Sequence, residues 1–134
     1  MSRLTIPRGI HDDLIAHARE GFPLEVCGIL GGKAGVVEQV FRMTNTDASN
    51  EHFMMEPREQ FAVAKELRAQ GLEMLAVYHS HPESPARPSE EDIRLALTPG
   101  ISHVIISLLD AGQPVLKSFK IAAGVMTPEA VEII

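Results

Sequence analysis

Residues 74–79 read Met-Leu-Ala-Val-Tyr-His. In an extended chain they divide into two faces, Met74/Ala76/Tyr78 and Leu75/Val77/His79, and both faces are largely apolar. A strand that is apolar on both sides needs cover on both sides, so this segment belongs at the centre of a sheet with packing against each face. It also runs straight into the stretch richest in chemistry, His79-Ser80-His81-Pro82.

Upstream of that strand, Pro7 suits the first turn of a helix on which Ile10, Leu14 and Ala18 recur every four residues, with Gly21 and Pro23 as its stop. Val26 to Leu30 is a short apolar run, read as a buried strand ended by Gly31-Gly32, and Val36 to Phe41 returns beside it as a hairpin. Residues 43–50 are polar and turn-rich, hence a loop, with substrate contact as one use for it. A second helix is expected from about Pro57 to Gln70, with Phe61, Ala64 and Leu67 inward and Gly71 closing it. Downstream, Ser89 opens a short helix carrying Ile93, Ala96 and Leu97 and stopped by Pro99-Gly100. His103 to Leu109 and Val115 to Ile121 add strands, with Val131 to Ile134 at an edge. Helices and strands alternate without strict βαβ regularity, which predicts an α/β class with a mixed sheet.

At 134 residues the chain fits one domain. Its net charge is −6, and its 12 Lys and Arg form no cluster that could neutralise phosphates. With five Phe, one Tyr and no Trp it has no base-stacking platform, so nucleic acid is excluded as a partner. No apolar run nears the roughly 18–20 residues that span a bilayer, which argues against a membrane protein, and the first residues lack a secretory h-region. Cys27 has no second cysteine to pair with, as suits a reducing compartment; the expectation is a cytoplasmic protein.

The segment 79–92 carries the chemistry. His79 and His81 project to the same side of a strand while Ser80 points away, so two imidazoles can reach one ion. Pro82, Pro85 and Pro88 stiffen the loop that follows, and Asp92 in the first turn of the next helix can fold back as a third ligand. Three protein ligands with a fourth position left to water is the pattern of a catalytic zinc site. Ser89-Glu90-Glu91-Asp92 also has the form of a helix cap, with Ser89 as N-cap and acidic residues at the positive end of the helix. Cys27, inside an apolar strand, reads as inert packing, and His11, His17, His52 and His103 read as surface or core residues.

His79-Ser80-His81-Pro82, then Ser89, then Asp92, resembles without a gap the motif of the JAMM (MPN-type) metalloproteases. Glu25-Val26-Cys27-Gly28-Ile29-Leu30 is similar to the upstream Glu-x-Cys-Gly-x-Leu segment of that family. The resemblance spans nearly the whole chain. It implies one α/β domain over residues 1–134, a curved mixed β-sheet flanked by helices (JAMM/MPN, cytidine-deaminase-like). It implies Zn²⁺ on His79, His81 and Asp92, Glu25 as general base and then acid, and Ser89 as a donor to the tetrahedral intermediate. Without the resemblance, Glu25 is not separable from Glu20 or Glu38.

Ala76-Val77 replaces the Gly-Trp that often precedes Tyr-His-Ser-His in relatives that cut ubiquitin chains, and the chain is short for the insertions that grip a second ubiquitin. It looks closer to the compact bacterial branch, similar to enzymes acting on ubiquitin-like sulfur-carrier proteins that end in Gly-Gly. The implied reaction hydrolyses the amide after that Gly-Gly and releases an amine, for instance cysteine. Two rivals stand beside it. One is a non-catalytic MPN scaffold that binds partners. The other is a zinc deaminase, whose Pro-Cys-x-x-Cys segment a single-cysteine chain cannot supply.

Overall fold

The computed structural model describes residues 3–96, 98 and 100–134. Among the described residues, seven strands and three helices follow one another as β1 (Arg3–Ile6), α1 (Arg8–Gly21), β2 (Cys27–Lys33), β3 (Val36–Met43), α2 (Pro57–Ala69), β4 (Glu73–His81), α3 (Glu90–Arg94), β5 (Ser102–Ser107), β6 (Val115–Ala122) and β7 (Val125–Ile133). The strands lie in the order β1-β3-β2-β4-β5-β6-β7, and β7 pairs with β1 to close the sheet on itself. Pairing is parallel for β4–β5, β1–β7 and β1–β3 and antiparallel elsewhere, so the sheet is mixed, as expected.

β4 takes the central position that its two apolar faces demand. On one side Ala76 and Tyr78 pack with Leu30, Val104 and Ile106 under Leu14, Ile15 and Ala18 of α1. On the other, Val77 joins Cys27 and Ile29 under Val63 and Leu67 of α2. Each large aliphatic buried in these layers contributes about 1.5–3 kcal/mol.

Several expectations are corrected by packing. Gly31-Gly32 does not end β2, which runs on to Lys33 through a bulge. These glycines serve close approach: a Cβ on Gly31 would meet Leu67 Cδ2 at 2.2 Å, and one on Gly32 would meet the Val36 carbonyl oxygen at 2.0 Å. The turn itself is Ala34-Gly35, both at positive φ, the two-residue geometry that matches strand twist. On α2 the buried stripe is Val63 and Leu67, spaced by four, so Leu67 is inward as expected, but Phe61 is 75% exposed and Ala64 is exposed as well. The C-terminal segment is no edge: β7 is nine residues long and bonded to β6 and β1. β1 has no counterpart in the sequence reading; it is four residues long and finds its partner more than 120 positions away. α3 is a single short turn ending at Arg94, with Leu95 at its C-cap; Leu97 and Pro99, expected at its end, lie outside the described residues.

Candidate metal centre

β4 extends two residues beyond its expected end, so both histidines are strand residues. They share the face that carries α2, where His79 lies opposite Cys27. Ser80, on the other face, clamps the neighbouring chain: its Oγ accepts from Val26 N at 2.8 Å and its N–H donates to the Val26 carbonyl at 3.0 Å. That clamp holds the residue after Glu25 against the middle of the His-x-His pair. Glu25 itself is held by its backbone, donating to the Ser49 carbonyl at 2.8 Å and accepting from Asn45 Nδ2 at 3.1 Å. The polar loop at 43–50 thus has a task the sequence did not disclose, which is to position Glu25.

The third arm arrives from α3. Ser89 and Asp92 form a reciprocal capping box: Asp92 N donates to Ser89 Oγ at 3.0 Å, and Ser89 N donates to Asp92 Oδ2 at 2.9 Å. The loop before it is fixed by more than its prolines. The His81 ring N–H at Nδ1 donates to the Pro85 carbonyl at 2.8 Å, Ser107 Oγ donates to the Ser84 carbonyl at 2.6 Å, and Ala86 is buried against Ile105 and Phe119.

Three atoms converge. His79 Nε2 and His81 Nε2 are 3.0 Å apart, and Asp92 Oδ2 is 3.2 Å from each. Ligands at about 2.0–2.1 Å around a tetrahedral zinc lie about 3.3 Å from one another, so these atoms have the spacing of one face of such a tetrahedron. The donor set fits as well. With Nδ1–H committed to Pro85, the lone pair of His81 Nε2 faces the triangle, the second-sphere arrangement usual for metal-bound histidine. Phe53 stacks on the His79 ring, centroids 4.5 Å apart and planes 24° from parallel, and holds its orientation. His79, His81 and Asp92 can hold a metal ion.

The electrostatics point the same way. Burial pushes the Asp92 carboxyl up, but hydrogen bonds to His79 and His81 outweigh it and hold it well below the usual carboxylate range. Burial lowers the pKa of His79. For His81 burial is outweighed by Asp92 and the Pro85 carbonyl, and its pKa rises. Asp92 is thus kept ionised between the two imidazoles. Beside it Glu25 is 5% exposed, its Oε1 has no hydrogen-bond partner, and desolvation lifts its pKa to about 8 against the pull of His81. A buried carboxyl with a free oxygen and a pKa near neutrality is equipped to accept and return a proton.

The remaining candidates sort clearly. Ser89 is a complete N-cap, yet its Oγ only accepts in that role, so its own hydroxyl proton is free to donate. Cys27 is fully buried, and burial pushes its thiol up to about 12, which leaves it protonated and inert as expected. His17 bonds the Tyr78 hydroxyl at 2.7 Å behind the sheet, His11 bonds Asp12 at 3.0 Å, and His52 faces Glu91 at 3.8 Å. His103 departs from the core-or-surface reading. It lines a groove of about 400 Å³ that opens beside His79 and Asp92, with Phe53, Met54, Leu95 and Ile101 among its walls. Only the β4–β5 register brings it there, so no local signal could have found it.

The chain matches the family of prokaryotic homologs of the JAB domain over residues 7–122. It belongs to that family. This JAB-domain protein is 32% identical over 133 residues to the CysO-cysteine peptidase of Mycobacterium tuberculosis, covering 98% of this chain and 91% of that protein. It is 34% identical over 113 residues to the desampylase of Haloferax volcanii, covering 79% and 81% respectively. A solution structure of a Desulfitobacterium hafniense protein superposes with a TM-score of 0.89 at 43% identity, covering 98% of this chain and 92% of the other. The resemblance to JAMM metalloproteases and the single mixed-sheet domain are borne out. Among the described residues of the JAB domain, no helix is long and apolar enough to cross a membrane.

Proposed function

We propose that this chain is a single-domain zinc peptidase, spanning residues 1–134 and working in the cytoplasm. Its proposed reaction hydrolyses the amide after the C-terminal Gly-Gly of a ubiquitin-like sulfur-carrier protein and releases an amine such as cysteine. The relatives support the peptidase class, and their names, which include a cysteine adduct and protein conjugates, favour a conjugate as the substrate. The observation that carries the reading is the convergence of His79, His81 and Asp92 beside a buried carboxyl with one unpartnered oxygen.

In this reading His79, His81 and Asp92 hold Zn²⁺. When bound, the ion supplies Lewis acidity that polarises the scissile carbonyl and brings the pKa of water to about 7. Glu25, in its ionised form, takes the proton of the attacking water and passes it to the leaving nitrogen. Ser89 donates its free hydroxyl proton toward the developing oxyanion while its oxygen continues to cap α3. The groove lined by Phe53, Met54, Leu95 and Ile101 receives the peptide beside the scissile bond.

The test combines elemental analysis with cleavage of a Gly-Gly-cysteine carrier conjugate, on wild type, His79→Ala and Asp92→Ala. One zinc per chain, lost in both variants together with cleavage, supports the peptidase. Zinc without cleavage of this conjugate would overturn the carrier substrate. No zinc under metal-replete conditions would overturn the catalytic reading and leave a binding scaffold.

A further inference from the structure

His103 stands beside the centre with no role in the mechanism above. β5 runs parallel to β4, with Val77 opposite His103 and His79 opposite Ile105. All four side chains therefore lie on the sheet face that carries the metal triangle. A diagonal neighbour of this kind sits roughly 7–8 Å away, about two residues' length along an extended peptide.

Its surroundings are unusual for a core histidine. The ring lines the groove beside His79, and its Nε2 is shut off from solvent with no hydrogen-bond partner among the described residues. Buried polar atoms are ordinarily paired, and an unpaired one is expensive. Phe53, Met54, Leu95 and Ile101 line one part of the groove with apolar groups and Gln60, Glu91 and Thr98 another, yet none of these polar groups pairs with His103 Nε2, and an apolar residue at 103 would avoid that expense. Burial, together with the nearby His79, lowers the imidazole's pKa, so at neutral pH it carries one N–H and one lone pair. Such a group matches neither a carboxylate nor an ammonium well. It does match a peptide amide. A Gly-Gly segment has no side chain to grip, so its main-chain N–H and C=O groups are the polar handles it offers.

We propose that His103 is a specificity-determining residue that hydrogen-bonds the main chain of the peptide segment occupying this groove. The inference rests on the peptidase reading and deepens it: the groove recognises an extended, glycine-containing tail through its backbone.

The probe is a peptide ending in Gly-Gly-Cys with a fluorophore at its N-terminus, tested on zinc-loaded wild type, His103→Ala and His103→Gln. Loss of one neutral hydrogen bond predicts a KM raised about tenfold in His103→Ala, with kcat within about twofold of wild type. His103→Gln, which keeps an amide donor and acceptor, recovers most of that loss. Binding of the same peptide to Glu25→Gln protein, read by fluorescence anisotropy, weakens by the same factor when His103→Ala is added. Zinc content and melting temperature stay unchanged. An unchanged KM in His103→Ala, with wild type active, would overturn this inference alone. A loss that glutamine does not rescue, or one accompanied by loss of zinc, would reduce His103 to a structural residue. A wild type inert toward the peptide, while it still cuts the full carrier conjugate, would overturn backbone recognition in the groove. A wild type inert toward both would overturn the peptidase reading and this inference with it.

Discussion

Replacing Glu25 by glutamine separates what the carboxyl does in catalysis from what it costs the fold. Glutamine keeps the shape and removes the charge. The native pKa of Glu25 is about 8 against an ordinary 4.5, raised chiefly by desolvation. A carboxyl with a raised native pKa holds its proton more tightly when folded. Its contribution to stability is therefore fully present below pH 4.5, is lost as pH climbs, and is gone above pH 8. The whole gap corresponds to at most about 5 kcal/mol, and relaxation around the ionised carboxylate trims this to roughly 2–3 kcal/mol. The assay is urea unfolding of zinc-free wild type and Glu25→Gln at pH 5, 7 and 8.5. His79, His81 and Asp92 are common to both proteins, so the difference curve reports Glu25 together with its coupling to His81 and Asp92. Wild type should fall behind the variant by roughly 2–3 kcal/mol between pH 5 and 8.5. With zinc restored, the variant should keep its metal and lose about 10²–10⁴ in kcat. Parallel stability curves would refute the desolvated carboxyl, and retained turnover would remove Glu25 as the proton carrier.

Three further outcomes follow from contacts around the site. Ser89→Ala should lower stability by about 1 kcal/mol through the lost cap and kcat by about 10²–10³, whereas Ser89→Asp should restore stability but not turnover, as read by thermal melts and conjugate cleavage. Asn45→Ala removes a side chain that bonds the Glu25 and His52 carbonyls and the Asp47 and Met54 amides, so kcat should fall at least tenfold with zinc content intact; unchanged kinetics would sever the loop from Glu25. Gly32→Ala places a Cβ 2.0 Å from the Val36 carbonyl oxygen, where backbone must move, and should cost about 3 kcal/mol in denaturant unfolding; an unperturbed midpoint would mean that the bulge relaxes freely.

Much of the centre is legible in the chain because its geometry is local. Two histidines flanking one serine on a strand must share a face, and a serine three residues before an aspartate at a helix start forms a cap that aims the aspartate backward. The same locality exposed β4 as the central strand and α1 as a helix stopped at Gly21. It failed on α2, where the inward stripe is set by what the sheet offers: Val63 and Leu67 meet Cys27 and Ile29, while Phe61 turns to solvent.

What the sequence alone determined, then, are the features of short range: the two-faced strand, the His-x-His spacing, the capping box and the hairpin of β2 with β3. Tertiary structure decided the rest, because it depends on register between distant segments. Closure of the sheet needs Arg3–Ile6 beside residues 130–133, and neither partner marks the other within its own pattern. Glu25 stands apart from Glu20 and Glu38 only because Ser80 clamps Val26 and the loop at 43–50 holds its backbone. His103 gains its place through one strand pairing, Val77 to His103, which a shift of a single residue would turn to the opposite face.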